Sequence, residues 1–334
     1  MVRCQMKEGG QREEANVVIV RFGYVAMSEM LKNASPSQTM TAKQFATLSN
    51  QEAGLGRLER IAKSNIENTL RLLKHNKAHD IEFFRFSSKL VPLVNHPYTE
   101  GWKYEKAIAA ELKNLGDFVH AEQMRVDFHP DHFVVLNSQS KEITQRSMQT
   151  LLYHYKLLKG MNIDPKHRCV LHIGGSKNGK MEGLETFIEN FSIIPESLSQ
   201  MILLENDDTI YNINDALYLG EKLGIPVVLD LHHHDLNPSE EPIIELWDRI
   251  KETWANSPLP IKIHMSSPKE GDMDKRHHDF INHERLLHFL ENISAEQVDV
   301  MIEAKKKDQA LLKLMAKLKE SKRCELLTEA SIRM

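Results

Sequence analysis

Eight short apolar runs recur along the chain at near-regular intervals, and nearly every one closes on a residue able to hold a metal or a phosphate. The runs are 17–23 (VVIVRFG), 81–86 (IEFFRF), 126–129 (VDFH), 169–173 (CVLHI), 201–205 (MILLE), 226–230 (PVVLD), 261–265 (IKIHM) and 299–303 (DVMIE). The residues at or just past their ends are Tyr24, Ser87, His129, His172, Glu205, Asp230 with His232 to His234, His264 and Glu303. Stretches such as VVIV, ILL and PVVL are continuously apolar, as strands buried on both faces are. Helical patterns fall between the runs, at 57–77, 100–117, 142–159, 181–191, 212–223, 241–253, 281–291 and 307–321. Strands alternating with helices imply βαβ units and a parallel sheet. In a (β/α)8 barrel the reacting groups sit at the carboxyl ends of the strands, so polar residues repeatedly placed there predict one shared site.

The expected fold is therefore α/β, a single (β/α)8 TIM barrel over 16–321, preceded by a polar extension at 1–15 and followed by a short tail at 322–334. Such barrels need about 250 residues, which a chain of 334 accommodates with one insertion, the long connection at 25–56. An open dinucleotide-binding sheet is disfavoured, since no G-x-G-x-x-G follows the first strand. Cys4, Cys169 and Cys324 are far apart and form no C-x-x-C pair, which argues against a disulfide framework or a zinc ribbon and fits a reducing cytoplasm. No stretch approaches the roughly 20 apolar residues that span a bilayer, and the start lacks the apolar core of a signal peptide. A cytoplasmic protein with no membrane partner is expected.

The run Asp230-Leu231-His232-His233-His234 is the strongest local signal, because a carboxylate and imidazoles bunched where a buried strand opens into a loop match the ligand preferences of zinc, manganese or iron. Glu205 at the end of the preceding strand and His264 at the end of the next strengthen it. With His129, His172 and Glu303 the candidates exceed the three or four ligands one zinc takes, which implies two or more ions. Such a cluster suits phosphodiester hydrolysis. A formal charge of −4 is not an obstacle, since bound divalent ions would turn an acidic site into a focus for anions.

GGSKNGK, at 174–180, follows a strand and precedes a helix as a nucleotide-binding loop would, but Met181 stands where that loop needs Ser or Thr. No nucleotide cofactor is expected. The loop offers instead a backbone cradle for a DNA phosphate, with Lys177 and Lys180 beside it, or is a plain solvated turn. The segment KKKDQALLKLMAKLKESKR spaces Leu311, Leu312, Met315 and Leu318 as one apolar stripe, which predicts packing on the barrel.

Taken in order, RFSSKLVP, FHPDHF, HIGG, LENDD, LDLHHH, IKIHMSSP, HHDFI at 277–281 and MIEAKKKDQAL resemble the UV damage endonuclease family, relatives of endonuclease IV, over residues 18 to 316. The resemblance implies a barrel whose cluster of two or three divalent metals, manganese above zinc or magnesium, cuts damaged double-stranded DNA immediately 5′ of a photolesion. It also implies 3′-hydroxyl and 5′-phosphate products.

Carried over position by position, it implies metal ligands at His129, His172, Glu205, Asp230, His233, His264, His277 and Glu303, with Glu205 bridging and with His232 and His234 as neighbours only. Lys262 matches a carboxylated lysine. Tyr24 and His96 match further pocket residues, counted with Glu205 and Lys262 as the catalytic set. Lys177, Lys180, Ser266 and Ser267 are candidate DNA contacts. Where the family commonly has Gln and an aromatic residue after H-P, to probe the lesion and the opposite strand, this chain has His132 and Phe133. A monomer is expected. The competing readings are an abasic-site endonuclease of the endonuclease IV type, a metal-dependent barrel sugar isomerase, and a non-catalytic DNA-binding module.

Overall fold

The computed structural model describes residues 17–334 other than 49, so the polar extension at 1–15 lies outside the described residues. Eight parallel strands follow the apolar runs: β1 (Ile19–Val25), β2 (Phe83–Arg85), β3 (Arg125–Asp127), β4 (Cys169–His172), β5 (Ile202–Glu205), β6 (Val227–Asp230), β7 (Ile261–Met265) and β8 (Gln297–Ile302). They pair in the order β3-β2-β1-β8-β7-β6-β5-β4. The sheet then curls until its two outer strands meet at one bridge, Phe128 to Cys169. The result is a nearly closed TIM barrel, with helices between successive strands.

Several of the helices begin where a side chain caps them. Asn50 accepts from the backbone N–H groups of Glu52 and Ala53 and opens the long helix Gln51–Ala78. Asn212 caps Ile213–Leu223 while its own backbone N–H donates to the Asp215 carboxylate, and Gly224 at φ 68 ends the helix. The connection expected at 25–56 is therefore partly helical, with Ala42–Ala46 and the first turns of the long helix inside it. The helix expected at 100–117 is broken at Ile108 into Tyr104–Ala107 and Ala109–Ala121.

Beyond residue 321 the chain forms a hairpin, β9 (Glu325–Thr328) and β10 (Ser331–Arg333). β10 runs antiparallel to the first three residues of β1, whereas β2 pairs only with Gly23 to Val25. The hairpin thus supplies backbone partners to the part of β1 that β2 leaves unpaired, and the tail is part of the sheet.

The lumen is charged at its base. Arg21 donates Nε and Nη2 to the two oxygens of Asp299, each at 2.8 Å, and Arg125 donates Nη1 to the same carboxylate at 2.7 Å. One layer up, Lys262 donates to Asp127 at 2.7 Å across the barrel, both fully buried. The Phe83 ring fills the space between, with the Arg125 guanidinium 5.0 Å and the Lys262 ammonium 5.7 Å from its centroid. A Cβ on Gly23 would sit 2.8 Å from the ring edge and 2.2 Å from the Phe83 carbonyl oxygen, so only glycine admits this ring.

Candidate metal centre

Successive strand residues face opposite sides of the sheet, so the inward set on each strand is fixed by its parity. From the base upward it is Arg21, Gly23 and Val25 on β1, Arg125 and Asp127 on β3, Lys262 and His264 on β7, and Asp299 and Met301 on β8. The register pairs His172 with Glu205 and Asp230 with His264 at the carboxyl ends of their strands. Just past the ends of β3 and β8, His129 and Glu303 join this uppermost layer.

Glu205 lies at its centre, 1% exposed. His264 Nδ1 is 2.6 Å from Oε1, while His129 Nε2 is 2.8 Å and His172 Nε2 3.5 Å from Oε2. His233 Nδ1 approaches within 3.8 Å. Ligand atoms of Glu205, Asp230, His264 and Glu303 lie within 4.8 Å of one another, as do those of His129, Glu205 and His264. Burial alone would raise the Glu205 carboxyl, but His264, His172 and His129 together hold it well below the usual range. Burial also opposes a charge on His233, yet Asp230 and Glu205 outweigh it and push the imidazole up to about 9. His172, where burial dominates, falls to about 4.

The donor set fits divalent ions. His129, His233 and His277 each place Nδ1 against a backbone carbonyl, of Pro130 at 3.0 Å, Asn206 at 2.9 Å and Glu303 at 2.7 Å. A neutral ring that donates Nδ1–H, as each of these would with a cation bound, keeps a lone pair on Nε2, the arrangement that orients metal-binding histidines. His172 Nδ1, His264 Nε2 and Asp230 Oδ2 are buried and have no hydrogen-bond partner among the described residues. Buried polar atoms are nearly always partnered, and imidazole and carboxylate together suit manganese or zinc.

Asn206 braces this arrangement. Its side chain accepts from the Asp230 N–H at 2.9 Å and donates to the Asp230 carbonyl at 3.1 Å, tying the ends of β5 and β6. Asp230 in turn caps the helix Leu231–Leu236 by accepting from His233 N–H. That helix turns His233 toward Glu205 and carries its two neighbours elsewhere. His232 contacts Ser266 Oγ at 2.7 Å and the Asp274 carbonyl at 3.0 Å, and His234 is buried.

Several expected site residues lie apart from this cluster. Tyr24 is on the outward face of β1, fully buried and bonded to Asn76 of the helix Gln51–Ala78, with its ring edge-on to Phe84. Parity places it between sheet and helix, which corrects its assignment to the pocket. His96 caps the turn Pro97–Thr99 by accepting from Tyr98 N–H at 3.2 Å, and its ring packs 4.8 Å from that of Tyr98. Ser266 and Ser267 are buried rather than presented to a ligand: Ser266 holds His232, and Ser267 accepts from Asn282 N–H at 2.8 Å. Lys180 is paired with Asp215 at 2.6 Å, whereas Lys177 is exposed on the Gly-rich loop. His132 and Phe133 are exposed on the loop after β3, Phe133 at 66%.

One residue of the layer was not among the expected ones. Arg85, at the end of β2, donates Nη1 to Glu303 Oε1 at 2.6 Å. Burial would raise the Glu303 carboxyl; Arg85 and then His264 keep it far below its usual value. The parity of IEFFRF, with Phe83 and Arg85 on one face, is the signal that marks it.

Residues 20–333 match the family model described as UV-endonuclease UvdE. A UV DNA damage endonuclease of Halalkalibacterium halodurans is 63% identical over 316 residues, which cover 94% of this chain and 98% of that relative. Among solved structures, that of SacUVDE superposes with a TM-score of 0.80 at 32% identity, covering 91% of this chain and 99% of the other. Endonuclease IV from Thermus thermophilus matches with a TM-score of 0.52 at 14% identity, over 90% and 99% of the two chains, a likeness of fold alone.

Proposed function

Because the chain belongs to the UV-endonuclease UvdE family, we propose that it is a metal-dependent DNA repair endonuclease. It incises the phosphodiester immediately 5′ of UV photolesions, cyclobutane dimers and 6-4 photoproducts, and leaves a 3′-hydroxyl and a 5′-phosphate. The observation that carries this reading is the convergence on one buried carboxylate, Glu205, of imidazoles from three other strand ends.

Two or three divalent ions, with manganese our choice, would be held by Glu205, His129, His172, Asp230, His233, His264, His277 and Glu303. When bound they supply Lewis acidity to the scissile phosphate and offset charge on the leaving oxygen. The protein's own residues do the rest. Glu205 presents Oε1 to His264 and Oε2 to His129 and His172, so a cation between them would be held by carboxylate and imidazole together. The carbonyls of Pro130, Asn206 and Glu303 fix the tautomers of three of the imidazoles. Phe133 stands free at the mouth to enter a distorted duplex and stack where a damaged base has left. Photolesions stack poorly and cost little to extrude, which favours damaged over intact DNA. His132, 5.8 Å from the Phe133 ring, contacts the opposite strand, and Lys177 a phosphate. We further propose that Lys262 is carboxylated, on the strength of the family resemblance; its place is the lumen, two residues before His264 on β7.

Nicking of irradiated plasmid, compared with unirradiated and abasic DNA and with metal content measured on the same samples, tests the reading. Manganese-dependent nicks confined to irradiated plasmid are expected. Preference for abasic sites would move the assignment to an abasic-site endonuclease, and no cutting with metals bound would reject both.

A further inference from the structure

Arg85 is a side chain that reaches into the ligand layer and cannot bind a metal. It lies in register with Asp127, one layer below the histidines, and its side chain climbs to Glu303 at the mouth of the barrel. One of its N–H groups is committed to Glu303. The others have no hydrogen-bond partner among the described residues, and none is a buried, unpartnered atom. They therefore meet solvent through the 11% of the side chain that remains exposed. A guanidinium pinned by one nitrogen, with the rest of its fork open to a site that gathers divalent ions, is shaped for a planar or tetrahedral oxyanion.

A second cation stands on the same side. Lys307 opens the helix Lys307–Ser321 in the left-handed backbone region, φ 48. Burial pushes its ammonium pKa down, and Arg85 adds to that shift while Glu303 opposes it. His129, His172 and His233 approach Glu205 from β3, β4 and the helix after β6, whereas Arg85 and Lys307 lie by Glu303.

We propose that Arg85 binds the scissile phosphate: Nη1 stays on Glu303 while the free N–H groups donate to a non-bridging oxygen of the phosphodiester. This rests on the endonuclease reading for the identity of the anion, though not for its chemistry. The rival role, a counter-ion that merely steadies Glu303, predicts loss of metal with no separate loss of anion.

The test uses manganese-loaded protein and dimethyl phosphate, a phosphodiester monoanion, whose affinity is read from 31P relaxation by the bound manganese. Hydrogen bonds to charged groups are worth enough for Arg85→Met to weaken dimethyl phosphate by about tenfold to a hundredfold. Manganese stoichiometry should be unchanged. Arg85→Lys, which keeps the charge but not the fork, should fall between, and it decides the matter should the methionine variant lose its melting transition. Unchanged affinity per bound manganese in these variants, or a fall only in proportion to lost manganese, would overturn the proposal. Nicking of irradiated plasmid by the wild type, run alongside, shows separately whether the endonuclease reading stands.

Discussion

The Nδ1 atom of His233 rests 2.9 Å from the backbone carbonyl of Asn206, the residue directly after Glu205. One position thus sets the tautomer of one imidazole, while its side chain holds the backbone of Asp230. Outer-shell partners of this kind change metal affinity by about 10–100-fold when lost. Asn206→Ala keeps the carbonyl on His233 but removes the amide that holds Asp230, so manganese affinity should fall by up to that order, with a loss of stability of about 1–3 kcal/mol from the Asp230 backbone groups left unpaired. Calorimetric titration with manganese and thermal melting of the metal-free protein measure the two effects. Wild-type affinity in the variant would show that Asn206 does not brace the site.

Glu205→Gln replaces a carboxylate, met by three imidazoles, with an amide of the same shape. The fold should persist, since the side chain keeps its volume, but an amide cannot supply the charge that holds cations together. Nicking of irradiated plasmid should be nearly abolished and bound metal reduced. Undiminished nicking at saturating manganese would refute the central role given to this residue.

Phe133→Ala should leave the melting temperature alone, because a ring 66% exposed contributes little to the core. Base–aromatic stacking is worth about 1–3 kcal/mol per base, so binding to a lesion-bearing duplex should weaken by roughly tenfold to a hundredfold. Titration of duplexes with and without a photolesion is the measurement. Equal losses on both would reject a damage-probing wedge.

Acid should unfold the protein partly through Asp299. Burial opposes its charge, but Arg125 and Arg21 outweigh burial and hold its pKa below the ordinary value. A carboxylate lower in the folded than in the unfolded chain stabilises fully above the unfolded value, about 3.9. That contribution disappears as the pH falls through the lower folded value. Asp299→Asn should flatten the pH dependence of stability below about pH 4 and cost about 3–5 kcal/mol at pH 7, chiefly by leaving the buried Arg125 without its carboxylate, while the half-buried Arg21 keeps Glu82. Denaturant unfolding from acid to neutral pH would show both. An unchanged acid limb would mean that another carboxylate controls it.

For Lys262 the decisive measurement is electron density at Nζ in manganese-loaded crystals grown near neutral pH with bicarbonate present. A planar carboxylate beyond Nζ is expected. Clean density for an amine still donating to Asp127, as it does here at 2.7 Å, would defeat the carboxylation.

The strand ends were legible in the sequence because a barrel buries its strands on both faces, and continuous apolar runs closing on His, Asp or Glu stand out. Which face a closing residue takes is harder to see. Tyr24 closes its run as plainly as His172 does, yet the inward residues of β1 are Arg21, Gly23 and Val25, so Tyr24 turns to the helices. Arg85 was hidden for the complementary reason, as a lone basic residue inside an aromatic run. Ser266 and Ser267 carry hydroxyls that are taken up by His232 and by the Asn282 N–H, and no local pattern separates that use from ligand binding. The hairpin at 325–333 escaped because ELLT and SIR are too short for a periodic signal; its place depends on unpaired backbone in β1, about 300 residues earlier.

That distance bears on how the molecule is made. Strand β1 is synthesised before its neighbours β2, β8 and β10, and two of these follow it only near the far end of the described residues. Until they arrive, the backbone edge of Ile19 to Arg21 has no native partner. Ordering contacts so remote in sequence is slow, and an exposed strand edge invites pairing with other chains. Growing chains of this protein should depend on protection of that N-terminal edge during synthesis, and release from it should coincide with completion of the C-terminal hairpin.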